Sequence, residues 1–362
     1  MKRLLAILVA VFLMVPEFEV HAAYHFSNYR GMPPIHIDGG PSKTPRGMTP
    51  EHIKTVYHLP ATGGRGTIVI VGAYDNAIIE SDLSVFSKEF NLPECTTKNG
   101  CFEKHAMSKK IKVDSGWAME TALDVEWAHA IAPEAHILLV EATTPSGANL
   151  LKAVDYAAKV KDASAISMSW GGSEFPEEVV LDSHFKSVSG APFFASSGDN
   201  GTGASWPASS PQVIGVGGTT VLLKPDGTFS SENAWSGSGG GTSAYEKEPS
   251  FQKSYSIPKT AGMRAIPDVS YDADPVSGFP VYHKGRWHTV GGTSAGAPQW
   301  AGIAALGSVD VDRLYSDKAS GIHAAYFRDI VSGSNGTCPY ICDARAHYDY
   351  VTGLGSPLTV HF

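Results

Sequence analysis

The sequence has little charge for its length, and it has no basic run or long apolar segment beyond its first residues. Charged residues make up 18% of the 362 positions, and the net charge is −8. Because phosphate binding needs a basic face, this balance argues against nucleic acid as a partner. The hydrophobic share of 43% is that of an ordinary globular protein.

One apolar stretch, from Leu4 to Val15, follows Lys2 and Arg3 near the N-terminus. It is too short to span a membrane, and Ala22 supplies a small residue at a suitable cleavage point. Residues 1–22 are therefore predicted to be a secretory signal peptide, with an N-terminal core helix as the alternative. We expect a secreted protein, extracellular or periplasmic, without membrane contact after cleavage.

Cysteine is scarce, with four residues that allow three disulfide pairings. The pairing of sequence neighbours, Cys95–Cys101 and Cys338–Cys342, is favoured because each pair lies in a loop that contains Gly, Pro or Asn. Such short loops add little stability in a loop-closure model and mainly fix local shape. A zinc site is disfavoured because neither spacing is the usual two-residue knuckle.

Alternating strand and helix patterns organise the rest of the chain. Residues 23–50 have no clear period and predict an extended N-terminal arm, after which Thr49-Pro50 is a good helix start. Strands are predicted at 67–72, 136–142, 164–170, 191–198 and 213–218, and helices at 80–90, 116–132, 147–160 and 176–188. The alternation predicts one α/β domain, 51–362, with a doubly wound, mostly parallel sheet, helices on both faces, and sites at the carboxyl ends of strands.

The stretch "GGTSAGAP", residues 291–298, places Ser294 among small residues at the start of a predicted helix. Amides and the positive dipole end of a helix can support negative charge there, as a nucleophile requires. An ordinary serine N-cap is the alternative. The usual base is missing, since the chain has no "HGTH" segment to supply a histidine.

Carboxylates offer a different base. Glu120 and Asp124 are four residues apart and share one face of a predicted helix, where each raises the proton affinity of the other. The alternative, a solvated acidic face, is weakened because this helix is largely apolar. Glu126 lies on another face, where we expect it to be solvated. His129 is about 140° around the helix from Asp124 and faces elsewhere.

A third carboxylate, Asp199, follows the predicted strand that ends in "FFASSG". Strand ends are where sites form in such sheets, although Asp is also an ordinary turn former. If this carboxyl is protonated, it could donate a hydrogen bond to a developing oxyanion.

These segments, in this order, resemble the sedolisins, the serine-carboxyl peptidases, which share the subtilisin fold and have Glu in place of His. The resemblance extends over about residues 49–358 and includes "SMSWGG" and "GGTSAGAPQWAG". It implies that Ser294 is the nucleophile, Glu120 the base and acid, Asp124 its orienting partner and Asp199 the oxyanion-hole acid. It also implies that Trp170 lines the substrate cleft.

The resemblance further implies one calcium site near the C-terminus. Its ligands would be the carboxylates of Asp329 and Asp349 and the backbone carbonyls of Ile330, Arg345 and His347. Relatives have glycines where this chain has Arg345 and His347, and glycine conformations are costly for those residues. The chain departs from its relatives at two further positions. Gly72 stands where several relatives have an acid, although Asp75 is close by, and Gly296 stands where many have serine.

We therefore expect a monomeric, acid-acting serine endopeptidase that cleaves protein or peptide substrates. Tripeptidyl-peptidase action stays open, because the pocket residues cannot be placed from the sequence. A competing hypothesis is an inert or short-form member that acts as a binding protein, since only about 28 residues separate the signal peptide from the domain, where relatives have a long prosegment. An esterase of the α/β-hydrolase class is disfavoured because the chain shows no Ser-Asp-His order with a supporting context.

Overall fold

A largely parallel sheet forms the centre of the computed structural model, which describes residues 26–316 and 323–362. The predicted signal peptide, 1–22, lies outside the described residues. The strands are β1 His36–Ser42, β2 Thr67–Ala73, β3 Phe102–Ala106, β4 His136–Ala142, β5 Ala163–Met168, β6 Gly172–Ser173, β7 Phe193–Ser196, β8 Ser205–Trp206, β9 Val213–Leu223, β10 Phe229–Ala234, β11 Gly241–Lys247, β12 Met263–Ile266, β13 Val269–Asp272, β14 Phe279–His283, β15 Arg286–Gly291, β16 Phe327–Arg328 and β17 Ser356–Pro357.

Helices connect these strands. In chain order they are α1 Pro50–Val56, α2 Ile79–Glu89, α3 Ser115–Ile131, α4 Gly147–Ala157, α5 Ser250–Tyr255, α6 Gly296–Leu306, α7 Val311–Ser316 and α8 His323–Tyr326, with 3-10 segments at Glu178–His184 and Thr293–Ala295. None of the helices within the described residues is long and apolar enough to span a membrane.

The central sheet has the strand order β10-β9-β7-β5-β2-β4-β3, and β13 also pairs with β9. All of its pairings are parallel except that of β10 with β9. Every residue of β2 is buried, and successive side chains enter opposite cores, as the pleat requires. Helices α3 and α6 pack on one face of the sheet and α4 on the other. The predicted doubly wound, mostly parallel single domain with helices on both faces is confirmed.

The predicted elements agree with the observed ones to within a few residues, with one difference of type. Residues 176–188 form a shorter 3-10 segment rather than an α-helix. Glu178 within it is buried and accepts from the Phe175 N–H and the Ser209 hydroxyl, and Asp182 accepts from the Ser210 hydroxyl, so polar contacts hold the segment. Both predicted disulfides, Cys95–Cys101 and Cys338–Cys342, are present.

Within the predicted N-terminal arm, the chain from residue 29 to residue 48 is largely extended and pairs with the domain at several points. Helix α1 begins at Pro50, where Thr49 and His52 form a reciprocal capping box. Before that helix, β1 pairs antiparallel with β15, which in turn pairs with β14. Since Ser294 follows β15 by three residues, this small sheet brings the arm to the segment that carries the candidate nucleophile.

Candidate active site

Helix α3 carries two buried carboxyls on one face. Asp114 caps its N-terminus by accepting from the N–H groups of Gly116 and Trp117. Glu120 and Asp124 are 1% and 2% exposed, so the alternative of a solvated acidic face is wrong. The expectation that Glu126 is solvated is also wrong. Helix α3 packs against the sheet, α2, α6 and β14 and so has no face left for water.

Ser294 lies in a tight turn that leads from β15 into α6. Gly292 has a φ of +122°, a backbone conformation that favours glycine, and a 3-10 turn over Thr293–Ala295 follows. Helix α6 then begins at Gly296, so Ser294 is at a helix N-terminus as predicted. Its hydroxyl is fully buried and makes no hydrogen bond of standard geometry, which leaves it free to react.

The carboxyls of Glu120 and Asp124 interact, so the protonation of one affects the pKa of the other. Burial raises the pKa of Glu120 well above its usual range, the negative charge of Asp124 adds to this, and the nearby Ser294 hydroxyl opposes it. Burial also raises the pKa of Asp124, against the hydrogen bonds from its neighbours. The pair can therefore hold a proton in mildly acidic solution and still offer one carboxylate oxygen as a base.

Ser169 connects this pair to the serine turn, and the sequence reasoning missed it. Its hydroxyl lies 2.6 Å from Asp124 Oδ1 and 3.1 Å from the Ser294 carbonyl oxygen. It directly follows β5 at the carboxyl edge of the sheet. The available signal was its position, at a strand end and next to Trp170, where sites collect in such folds.

Asp199 occupies the other side of the serine turn. It follows β7, and its Oδ1 accepts from the Thr293 N–H and from the Thr293 hydroxyl, both at 2.8 Å. Burial raises the pKa of Asp199, against the opposing effects of His36 and Thr293. A surface turn does not account for this residue, because the side chain is held against the segment that carries Ser294.

The arm crosses the same region, which the sequence did not reveal. Met32 and Gly171 exchange two backbone hydrogen bonds, of 2.9 and 3.1 Å, and His36 pairs with Gly291 four residues later. His36 Nε2 lies 3.2 Å from Asp199 Oδ2. Together the arm and the segments after β5 and β7 line a cleft of about 600 Å³.

Trp170 lies beneath the arm and is not among the residues that line the cleft. Its ring is fully buried, and its indole N–H donates to the Val71 carbonyl at 3.0 Å. Gly31 of the arm lies directly on the ring, since a methyl group there would contact Leu150 and Trp170. The structure thus places Trp170 beneath the path of an extended chain.

Two polar residues that the sequence analysis singled out, Asp75 and His129, lie apart from the carboxyl pair. Asp75, which follows β2, pairs with Lys104 at 2.6 Å and does not extend the carboxyl pair. His129 is buried, and its Nε2 lies 2.9 Å from the Pro93 carbonyl, consistent with the prediction that it faces away from Asp124.

The predicted calcium residues meet in the loop before β17. Asp329 Oδ2 accepts from the His347 N–H at 2.9 Å, and Asp349 Oδ2 accepts from the Arg345 N–H at 3.1 Å. Asp349 accepts further bonds from residues 351–352. Asp329 Oδ1 is buried without a hydrogen-bond partner, as a cation ligand would be. One carboxylate oxygen, Asp329 Oδ1, is thus available to a cation, while backbone N–H groups and the Thr352 hydroxyl donate to the other carboxylate oxygens.

His347 adopts a φ of +68°, which belongs to the left-handed region that favours glycine. Arg345 is not among the residues with positive φ. A backbone conformation that favours glycine is therefore found at His347 but not at Arg345.

This arrangement provides the parts for acyl transfer: a free hydroxyl, a carboxyl pair and a protonatable acid on the opposite side. Comparison with known proteins points the same way. A family model described as the subtilase family matches residues 115–317. Sedolisin from Pseudomonas sp. (strain 101) is 28% identical over 359 residues, which cover 86% of this chain and 60% of that protein. Kumamolisin from Bacillus sp. (strain MN-32) is 27% identical, over 88% of this chain and 63% of that protein.

Tripeptidyl-peptidase 1 of Dictyostelium discoideum is 29% identical over 76% of this chain and 50% of its own length. The chain thus spans less than two thirds of the length of these curated relatives. Among solved structures, Pseudomonas sedolisin, a serine-carboxyl proteinase complexed with two molecules of pseudo-iodotyrostatin, superposes with a TM-score of 0.75 at 28% identity, over 87% of this chain and 96% of that one.

Proposed function

Since the chain belongs to the subtilase family and within it to the sedolisins, we propose that it is a secreted, acid-acting serine endopeptidase. The observation that carries the proposal is the buried Ser294 hydroxyl at a helix N-terminus, beside the buried carboxyl of Glu120.

In the proposed reaction, Glu120 takes the proton from Ser294 as the serine oxygen attacks the peptide carbonyl. Protonated Asp199 and backbone amides at the start of α6 stabilise the negative oxygen of the tetrahedral intermediate. Glu120 then returns the proton to the leaving amine. Water, with Glu120 again as base, hydrolyses the acyl-enzyme and restores Ser294.

The pH dependence follows from the roles of the carboxyls. Glu120 needs its carboxylate, while Asp199 needs its proton, so the rate falls in acid as Glu120 is protonated and falls again toward neutral pH as Asp199 loses its proton. Because burial raises the pKa of Asp199, this side chain keeps its proton to a higher pH than an ordinary Asp does. We expect an acidic optimum.

Endopeptidase action is favoured over tripeptidyl-peptidase action by the course of the arm. An extended chain lies through the site and continues on both sides, since it pairs with Gly171 before the serine turn and with Gly291 at it. In an enzyme that releases tripeptides, the substrate groove would have to be closed three residues before the cleaved bond. Polypeptides that extend in both directions are therefore the proposed substrates, and the proposed enzyme is a monomer.

A calcium ion at the C-terminal loop is part of the proposal. Asp329 and Asp349 would hold it, with the carbonyls of Ile330, Arg345 and His347. The buried oxygen of Asp329 that lacks a hydrogen bond supports this site. Calcium would neutralise carboxylates and fix the loop, without a part in the chemistry.

The proposal is tested with unfolded protein as substrate across acidic and neutral pH. Ser294→Ala and Glu120→Gln should each lose about a thousandfold or more in kcat. Product masses distinguish internal cleavage from release of tripeptides. Thermal unfolding of Ser294→Ala is the control, and it should stay close to the parent because the hydroxyl makes no hydrogen bond of standard geometry. The proposal would be wrong if Ser294→Ala were as active as the parent, or if the rate were highest above neutral pH. A parent without activity would favour the binding-protein hypothesis.

A further inference from the structure

A second pocket, of about 490 Å³, lies beside the candidate catalytic groups and has no part in the proposed reaction. One of its walls is the β14–β15 hairpin, and another is the start of α3, up to Met119. Met119 directly precedes Glu120, and Ile35 lines both this pocket and the cleft that contains Asp199. The two cavities are therefore adjacent, and an extended polypeptide bound in the cleft can place a neighbouring side chain in the pocket.

One face of the β14–β15 hairpin changes from apolar to cationic towards its turn. Val281, in the core, lies opposite His288, and His283 lies opposite Arg286 on the same face, because cross-strand partners and every second residue of a strand share a face. The pocket is lined by the cationic residues of this end of the hairpin: His283, Lys284, Arg286 and His288. By contrast, β1 lines the pocket mainly with apolar side chains.

Two imidazole nitrogens of the pocket residues are buried without a hydrogen-bond partner. His283 is 3% exposed, and its Nδ1 lies 3.0 Å from Asp82 Oδ2, so the carboxylate accepts from Nδ1–H. Its Nε2 is buried and unpartnered, and so is Nδ1 of His288. Buried polar atoms are normally satisfied, and a carboxylate accepts from imidazole nitrogens that carry protons. These two nitrogens therefore indicate a polar ligand.

The positive charge of the hairpin is not balanced within the pocket. Among the described residues that line it, none is acidic. The acids of the neighbouring elements are engaged or face away: Asp82 of α2 bonds to His283, and Asp114 caps the N-terminus of α3. Asp38 alternates with Ile37 along β1 and so lies on the other face of that strand. The pocket is thus complementary to an anion.

The hairpin turn has a lysine where its backbone favours other residues. Lys284 and Gly285 form a two-residue turn, with φ values of +50° and +77°. Turns with two left-handed residues usually have Asn, Asp or Gly at the first position. A side chain that is unfavourable for the turn but suited to binding an anion supports a functional role for Lys284.

We propose that this pocket is a specificity site, which accepts a glutamate side chain of the substrate a few residues from the cleaved bond. The inference rests on the proposed function for the reaction and adds the class of substrate to it. Met119 and the apolar residues of β1 would contact the methylene groups of the glutamate, while the cationic hairpin would hold its carboxylate. The preference over glutamine requires an ionised glutamate, and hence a pH above about 4.3.

The test compares short, C-terminally amidated peptides that differ only in carrying Glu or Gln, placed at successive positions on both sides of the cleaved bond. At roughly pH 5, Glu at one of these positions should raise kcat/KM over Gln on the order of tenfold. At roughly pH 3, where the glutamate is protonated, the two peptides should be cleaved about equally. Amidation ensures that a terminal carboxylate is not the group recognised.

Two substitutions assign the preference to the hairpin. Lys284→Asn removes a charge and places a favoured residue in the turn, so the fold is not weakened, and Arg286→Gln changes an exposed side chain. Each should lower the Glu-to-Gln ratio of kcat/KM about threefold, and the double variant should bring the ratio to about one. Lys224→Asn, an exposed lysine of the β9–β10 turn that does not line the pocket, is the matched control and should keep the parent ratio.

A ratio of about one at every position in the parent would overturn the proposal, and so would a double variant that keeps the parent ratio. If neither peptide is cleaved, the proposed function fails, and binding then tests the pocket by itself. Protein with Ser294→Ala should bind the Glu peptide more tightly than the Gln peptide at roughly pH 5. Equal affinities at every position would contradict the inference without reference to catalysis.

Discussion

Ser169 contacts both halves of the candidate active site through a single hydroxyl. It lies within hydrogen-bond distance of Asp124 and of the Ser294 carbonyl oxygen, while the Glu120 carboxyl interacts with both Asp124 and the Ser294 hydroxyl. We infer that it is a positioning residue, which fixes Asp124 and helps to hold the serine turn. Its hydrogen bond also lowers the pKa of Asp124 against the effect of burial.

Ser169→Ala should therefore lower kcat by about tenfold, with little change in KM. Because loss of the hydrogen bond lets the pKa of Asp124 rise further, the acidic limb of the rate profile should move to higher pH. The measurement is kcat and KM across the acidic range. Ser167→Ala is the control, since its hydroxyl is also buried but makes no hydrogen bond. An unshifted pH profile in Ser169→Ala would assign the residue to packing alone.

At the scale of elements, helix α3 shows how packing decides the state of its side chains. The spacing of Glu120 and Asp124 placed them on one face, but the helix is enclosed by other elements on its remaining faces too. Glu126 is therefore buried and accepts from the Tyr282 N–H at 2.9 Å. Burial raises its pKa well above the usual range, with only this hydrogen bond in opposition.

The C-terminal loop gives a prediction at the same scale. If calcium binds at Asp329, millimolar calcium should raise the melting temperature of the protein, and a chelator should lower it, because binding to the folded state alone stabilises it. A ten- to hundredfold excess over Kd corresponds to about 1.4 to 2.7 kcal/mol.

Asp329→Asn should abolish the calcium-dependent change in melting temperature, while Asp343→Asn, an acid paired with Arg345 in the same loop, should keep it. Differential scanning calorimetry with and without calcium measures both. Identical melting curves of the parent in calcium and in chelator would show that this loop binds no calcium.

At the scale of the whole molecule, many carboxyls are buried. Burial raises the pKa of Glu178 to about 9, of Glu246 to about 8 and of Glu141 to about 7, and that of Glu126 and Asp272 well above the ordinary range. In the unfolded chain these groups lose their protons near pH 4 to 4.5, roughly. Between those values the folded state binds more protons than the unfolded state, so stability falls as pH rises.

We therefore expect the melting temperature to be highest in mild acid and to fall steadily between about pH 5 and about pH 8. Ser294→Ala protein avoids self-digestion in the measurement. Glu126→Gln in that background should reduce the fall, because glutamine has no proton to lose. A melting temperature that stays constant or rises over this range would contradict the expectation.

The sequence by itself determined the fold class, most elements and the identity of the carboxyl and serine residues that the structure brings together. Hydrophobic runs such as that of β2 are local, and the four-residue spacing of Glu120 and Asp124 follows directly from helix geometry. The disulfides of neighbouring cysteines are local for the same reason. Such features need no knowledge of distant parts of the chain.

Only the tertiary structure decided the burial of Glu126, the role of Ser169 and the path of the arm through the groove. Each depends on elements that are far apart in sequence: β14 covers Glu126, Ser169 reaches helix α3 and the serine turn, and His36 meets Asp199. Periodicity reports which faces of one element are apolar but not what packs on the others. The arm has no hydrophobic period, so its position against the groove could be found only from the tertiary structure.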